Sequence, residues 1–235
     1  LLTSTGDYKE GLKHGNWTSF DKGRKIYDKE FKDDLLNGKS TSYFENGNLE
    51  TELNYVNSLL NGEANIWFDN GQIKEKKLFR NNMLDGDLIS WNKNGKLVNE
   101  KKFKDGEKVG IWTFWNSNGT KDAILNYKNN LLIYSKRILY FTNGNKKLMR
   151  MYQDNKLNGE AIDWFDTGQK FSEGGYKDGK PDGQWTWWNN KGMKTEERDY
   201  LYGNLLSKKI FKYSFLTGDL KSQKTYINDK CVSNC

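Results

Sequence analysis

Four glutamates, Glu52, Glu100, Glu173 and Glu197, stand at one position in four of the repeated segments of this chain. Carboxylate pairs are the groups that hydrolyse glycosidic bonds. Their recurrence argues against that chemistry, because a catalytic dyad is one unusual pair in a pocket. A Glu repeated between lysines is what cross-strand charge pairing produces. The other reactive side chains are few: His14 is the single histidine, and Cys231 and Cys235 are the only cysteines. They are too few for a Cys/His zinc cluster, a Ser-His or Cys-His pair, or a disulfide framework. His14 reads as a surface-turn residue in Leu12-Lys13-His14-Gly15. The expectation is therefore no catalytic residue, no metal site, no cofactor and no enzymatic activity.

What positions these residues is a repeat of about 24 residues, seen most plainly in Gly86 to Phe103. There an apolar run ending in Trp91 meets Asn94-Gly95, which favours a tight two-residue turn with positive φ, and a second run closes on Phe103. The turn glycine recurs nine times, from Gly23 to Gly218, and eight residues after each stands an aromatic, from Phe31 to Tyr226. Four residues before most of these glycines lies Tyr43, Trp67, Trp91, Trp115, Tyr140, Trp164 or Trp188. A further glycine, as at Gly38, Gly86 or Gly183, opens the first strand of seven units. Asp, Asn and Gly after each closing aromatic, as in Lys104-Asp105-Gly106, mark a second, longer turn between hairpins. The pattern predicts an all-β, elongated array of about nine 24-residue β-hairpins, some 18 strands, forming one long twisted antiparallel sheet. Residues 1–7 read as a leader, 8–226 as the repeat domain and 227–235 as a tail, with units near 8–31, 31–55, 55–79, 79–103, 103–127, 127–152, 152–176, 176–200 and 200–226.

Composition agrees. With 35% hydrophobic residues and a mean hydropathy of -0.96, the 235-residue chain is too polar for a large central core, while 14% aromatics suit a thin sheet with an aromatic stripe. One proline, Pro181, leaves the strands free to pair. The net charge of +7 is interleaved with 31 acidic residues and contains no long basic block, which disfavours nucleic acid and leaves weak attraction to anionic lipid or polysaccharide. No apolar run reaches the roughly 20 residues that span a bilayer as a helix. The first residues, Leu1-Leu2-Thr3, lack an initiator Met, so the expectation is either a processed form or a trimmed piece of a longer chain.

The grammar of YKDGKPDGQWTWWNNKG at 176–192 and YQDNKLNGEAIDWFDTGQ at 152–169 resembles the bacterial variant of the MORN repeat, the class met in YwqK-like proteins. The resemblance covers residues 8–226. It implies a hairpin array without catalytic chemistry, used as a scaffold and interaction surface. It also implies an exported or cell-surface bacterial protein contacting host or neighbouring cells, with a cytoplasmic location or an antitoxin-type role as alternatives.

Two units depart from the pattern. At Leu131–Ile138 and Leu205–Ile210 the first glycine is missing and longer strands are expected, each after a tryptophan-rich run, Trp112-Thr113-Phe114-Trp115 or Trp185-Thr186-Trp187-Trp188. Residues from about 79 to 152 and from about 152 to 226 then form two blocks of three units. Alternation along a strand puts the regular tryptophans on one face and Trp17, Trp112, Phe114, Trp185 and Trp187 on the other. That second set either packs within the fold or forms an exposed patch. As a patch, Trp112, Phe114, Trp185 and Trp187, rimmed by Lys136, Arg137, Lys208 and Lys209, would contact a protein partner, with glycan or anionic lipid as the alternative. The open sheet ends could also pair two copies of the chain.

Overall fold

The computed structural model describes residues 1–214 and 217–233. Among them are twenty strands and no helix. The chain resolves into two compact units, Leu1–Lys121 with Asn126–Leu131, and Asp122–Leu125 with Leu132–Cys235. In the first unit β1 (Leu2–Lys9), β2 (Leu12–Asp21), β3 (Arg24–Lys32), β4 (Leu35–Tyr43), β5 (Leu49–Val56), β6 (Leu59–Trp67), β7 (Ile73–Arg80), β8 (Met83–Trp91), β9 (Leu97–Lys104) and β10 (Glu107–Trp115) pair in chain order, each antiparallel to the next. The strand β11 (Lys121–Lys128) contributes residues to both units. In the second, β12 (Leu131–Tyr140), β13 (Lys146–Gln153), β14 (Lys156–Trp164), β15 (Lys170–Lys177), β16 (Lys180–Trp188), β17 (Lys194–Leu201), β18 (Asn204–Tyr213), β19 (Leu220–Ile227) and β20 (Lys230–Ser233) do the same. The residues read as a leader thus form β1, paired along β2, and the tail contains the short β20. Hence the count is twenty rather than eighteen. His14 lies inside β2, not in a turn. Cys231 on β20 is disulfide-bonded, and Cys235 lies outside the described residues.

The two kinds of turn are the reverse of the expectation. The Asp and Asn pairs after each aromatic make the tight two-residue turns, with both residues at positive φ: 51° and 65° at Asp33 and Asp34, 48° and 67° at Asn81 and Asn82. Two successive left-handed residues match the twist of the flanking strands. The Asn-Gly dipeptide instead sits in a longer loop between Trp91 and Leu97. There Gly95 takes φ 74°, its N–H donates to the Asn92 carbonyl at 2.9 Å, and Asn92 N–H donates to the Lys96 carbonyl at 2.9 Å. The asparagine in this loop serves as a staple. Asn70 accepts from Gln72 N–H at 3.1 Å and donates to the Lys93 carbonyl of the next loop at 3.0 Å.

Tight turns are stapled likewise. Asn82 N–H donates to the Leu60 carbonyl at 2.9 Å while its side-chain oxygen accepts from Leu60 N–H at 2.7 Å, and Ser58 treats Leu36 in the same way at 2.7 and 3.0 Å. These bonds satisfy backbone groups that the ladder leaves free at a bulge. The glycine expected to open each strand lies at that bulge. Gly86, at φ 143°, faces the point where the β7–β8 register shifts between Lys77 and Phe79. A Cβ there would stand 2.7 Å from Leu78 Cδ2.

Neighbouring strands make nearly all the contacts, so each unit is a single layer whose apolar burial is local. Three tryptophans repeat one arrangement. Trp17, Trp112 and Trp185 are buried, and each indole N–H donates to the carbonyl ten residues earlier, Asp7, Lys102 or Gly175, at 3.1, 3.0 and 2.9 Å. Trp17 lies over Gly6 and Trp185 over Gly174 so closely that a Cβ on either glycine would fall within 2.4 Å of the indole. An aromatic closes the other side: Tyr8 against Trp17, and the repeat-column residues Phe103 against Trp112 and Tyr176 against Trp185, with centroids 5.0–5.1 Å apart. In the second unit Ile138, Met149 and Ile162, direct cross-strand partners, form a small core against which Tyr140, Met151 and Trp164 pack. The strands lacking the first glycine, β12 and β18, are ten residues long, as expected.

Candidate protein-docking surface

Alternation within β16 places Trp185 and Trp187 on one face and Thr186 on the other, opposite Arg198, Glu196 and Glu197 respectively on β17. The two indoles stack with centroids 5.8 Å apart and planes 25° from parallel. Trp185 is 6% exposed whereas Trp187 is half-buried, so Trp187 presents the outer ring of the stack. Arg198 lays its guanidinium over Trp187 at 4.9 Å from the ring centroid. Its Nε donates to Glu196 at 2.7 Å and a terminal nitrogen to the Tyr200 hydroxyl at 3.1 Å. Lys208, directly across from Arg198, approaches Glu196 at 3.1 Å.

Burial pushes the Glu196 carboxyl up, but hydrogen bonds from Arg198 and Lys208 outweigh it and hold the group below its ordinary value. The Glu196 hydrogen bond, against a smaller effect of burial, holds Arg198 charged well above its usual range. Beside Lys208 a depression of about 300 Å³ is lined by Leu205, Leu206 and Tyr226, the last being the cross-strand neighbour of Lys208. The recess is of mixed polarity, with Ser207, Asn228 and Asp229 also in its lining, and a Trp and an Arg held beside it are residue types enriched at protein hot spots.

The residues singled out in the sequence are therefore divided. Trp187 and Lys208 belong to this surface. Trp112 and Trp185 do not form the exposed patch, because glycine or strand backbone beneath them and an aromatic beside them leave only 6% of each in solvent. Phe114 is half-buried beside Trp112 on β10, in the first unit. Lys136 and Arg137, consecutive on β12, face opposite sides, as do Lys208 and Lys209; Lys209 approaches Glu197 at 3.9 Å on the reverse face. Arg198, Glu196 and Tyr226 escaped the sequence reading, although the first two stand directly opposite the flagged tryptophans once strands are paired.

The glutamate column is paired only partly across strands: Glu52 meets Lys39 of β4 at 2.9 Å and Glu197 approaches Lys209 of β18 at 3.9 Å. Glu197 also meets Lys194 at 2.6 Å, and Glu173 meets Lys170, each from three residues earlier on its own strand. Among the described residues no group of His, Cys, Asp and Glu is arranged to hold a metal ion.

A single-layer array of stapled hairpins is consistent with MORN-type repeats, and three of its hairpins resemble them. The family model described as MORN repeat variant matches residues 36–57, 60–81 and 108–129, each spanning one hairpin junction of the array. No curated protein matches. Among solved structures, the TcdB2-TccC3-Cdc42 crystal structure is 12% identical with a TM-score of 0.26, covering 92% of this chain and 14% of that one. TcdB2-TccC3 without its hypervariable C-terminal region is 10% identical with a TM-score of 0.29, covering 94% and 14%. A porin-like protein from Bacteroides uniformis is 8% identical with a TM-score of 0.17, covering 98% and 91%. This chain thus spans 14% of the length of the TcdB2-TccC3 chains, and none of these likenesses is close enough to bear on fold or function.

Proposed function

We propose that the chain is a non-enzymatic repeat scaffold that docks a protein partner on the face of its second unit carrying Trp187, Arg198 and Lys208. The observation that carries the reading is the pre-ordered Trp187–Arg198–Glu196 cluster beside the recess of Leu205, Leu206 and Tyr226. Side chains already fixed by stacking and ion pairing lose little freedom on binding. An exported or surface-exposed bacterial protein that touches host or neighbouring cells fits the same reading.

The test is capture from bacterial surface extract and host-cell extract by the intact chain and by a Trp187→Ala, Lys208→Ala variant. A partner retained by the intact chain and lost at least tenfold by the variant, with far-ultraviolet circular dichroism unchanged, supports the docking face. Equal retention by both, or turnover of any substrate abolished by Glu173→Gln with Glu197→Gln, overturns it.

A further inference from the structure

The opposite face of the second unit carries an open cleft of about 470 Å³ between the loops that follow β12 and β14. Its walls are the rings of Phe141, Trp164, Phe165 and Phe171, and its rim holds Thr142 and Asp166. One wall exists because of a departure from the repeat. Six residues beyond the first loop phenylalanine, other hairpins carry a lysine whose ammonium stands over that ring: Lys74 over Phe68 and Lys147 over Phe141, both at 5.7 Å. At the corresponding place after Phe165 stands Phe171, 42% exposed, edge-on to Phe165 with centroids 5.2 Å apart. The hairpin folds with lysine there, so the fold does not account for the exposed ring. A second wall, Trp164, is braced from behind by the Ile138–Met149–Ile162 core and cannot fold away from the cleft.

The polar rim is equally informative. The Asp166 backbone carbonyl accepts the side-chain amides of Asn143 and Asn145 at 2.8 Å each, which fixes the loop. The Asp166 carboxylate and the Thr142 hydroxyl are engaged by no described residue. A carboxylate on the rim of the cleft repels phosphate and carboxylate ligands. A cationic guest meets Lys146 and Lys147, whose ammoniums already stand over Trp164 at 5.6 Å and over Phe141. The ligand that satisfies all of these groups is neutral, has an apolar C–H face for the electron-rich ring faces, and has hydroxyls to donate to Asp166 and exchange with Thr142. A pyranose ring has that make-up, and a shallow, open cleft admits internal sugars of a chain that a closed pocket would exclude.

We propose that this cleft binds a short stretch of a neutral glycan, stacked on the exposed Phe171 ring, bounded by Trp164 and hydrogen-bonded by Asp166. The site is separate from the docking face and does not depend on it. The test exposes the whole chain to an array of neutral, uronic-acid and sialylated oligosaccharides. The best ligand is then titrated by saturation-transfer NMR, with tetramethylammonium as a competing probe.

Binding of a neutral oligosaccharide is expected. Phe171→Lys should weaken it roughly tenfold, the loss of about one stacking contact, and Asp166→Asn should also weaken it. Trp187→Ala should leave it unchanged. Phe171→Lys restores the residue that other hairpins carry, so strand content by circular dichroism stays intact. No binding of any neutral sugar, binding of acidic sugars only, displacement by tetramethylammonium, or neutral binding indifferent to both cleft variants overturns the proposal.

Discussion

A methyl group added at Gly174 would stand 2.1 Å from Trp185 Cδ2, so Gly174→Ala has to expel the indole from its seat. Trp185→Ala removes the same ring directly, with its contact to Tyr176 and its N–H bond of 2.9 Å to the Gly175 carbonyl. Deleting a buried Trp costs about 3–5 kcal/mol. A single-layer sheet lets water reach the vacated site and the freed carbonyl, so the low end, about 3 kcal/mol, applies here. Gly174→Ala alone should cost about 2–3 kcal/mol, because it forfeits most of the same burial. Once Trp185 is gone, the three atoms nearest the added methyl are gone with it. Gly174 has no positive φ, so in that background Ala should be neutral or stabilising by up to about 1 kcal/mol. The two single changes then sum to about 5–6 kcal/mol while the double variant costs about 3, a coupling of about 2–3 kcal/mol. The assay is equilibrium unfolding in urea followed by far-ultraviolet circular dichroism, with the slope checked for constancy, since repeat arrays can unfold in parts. Additive costs within about 0.5 kcal/mol, or a Trp185→Ala variant as stable as the parent, would refute the structural role assigned to this ring.

Gly86→Ala combines φ 143° with a Cβ 2.7 Å from Leu78 Cδ2; it should cost about 1–3 kcal/mol in thermal unfolding, and Leu78→Ala should relieve part of that. Asn82→Ala loses the bond to Leu60 N–H and keeps φ 67°; a loss of about 1–2 kcal/mol is expected, with Asn82→Gly in between because glycine relieves the backbone alone. For Asp28 burial raises the pKa, but bonds from Lys25, Thr18 and Tyr43 hold it lower than usual, as Arg198 and Lys208 do for Glu196. A depressed folded pKa means stability fully present above the ordinary carboxylate value of about 4 and lost as pH falls through the lower folded values. Melting temperature should therefore drop more steeply below about pH 4 in the parent than in Asp28→Asn, and equal slopes would count against that network.

What the sequence determined alone is the hairpin period, the turns within the nine repeat units and the two aromatic columns, but not the turns that join β1 and β20 to the array. These follow from local rules: strand alternation has a period of two, and left-handed turn residues declare themselves. Which turn is tight was decided by tertiary structure, because Asp and Asn pairs in the two-residue turns staple one hairpin to the previous one, while the Asn of Asn-Gly is spent on its own loop and the next. Depth was decided there too. Alternation assigned Trp185 and Trp187 to the same face, but only the glycine under one of them and the arginine over the other made the first a core residue and the second a surface one. The cleft at Phe171 likewise exists only where two loops from different hairpins come side by side, since a sheet of one layer buries a side chain only as deeply as its cross-strand neighbours allow.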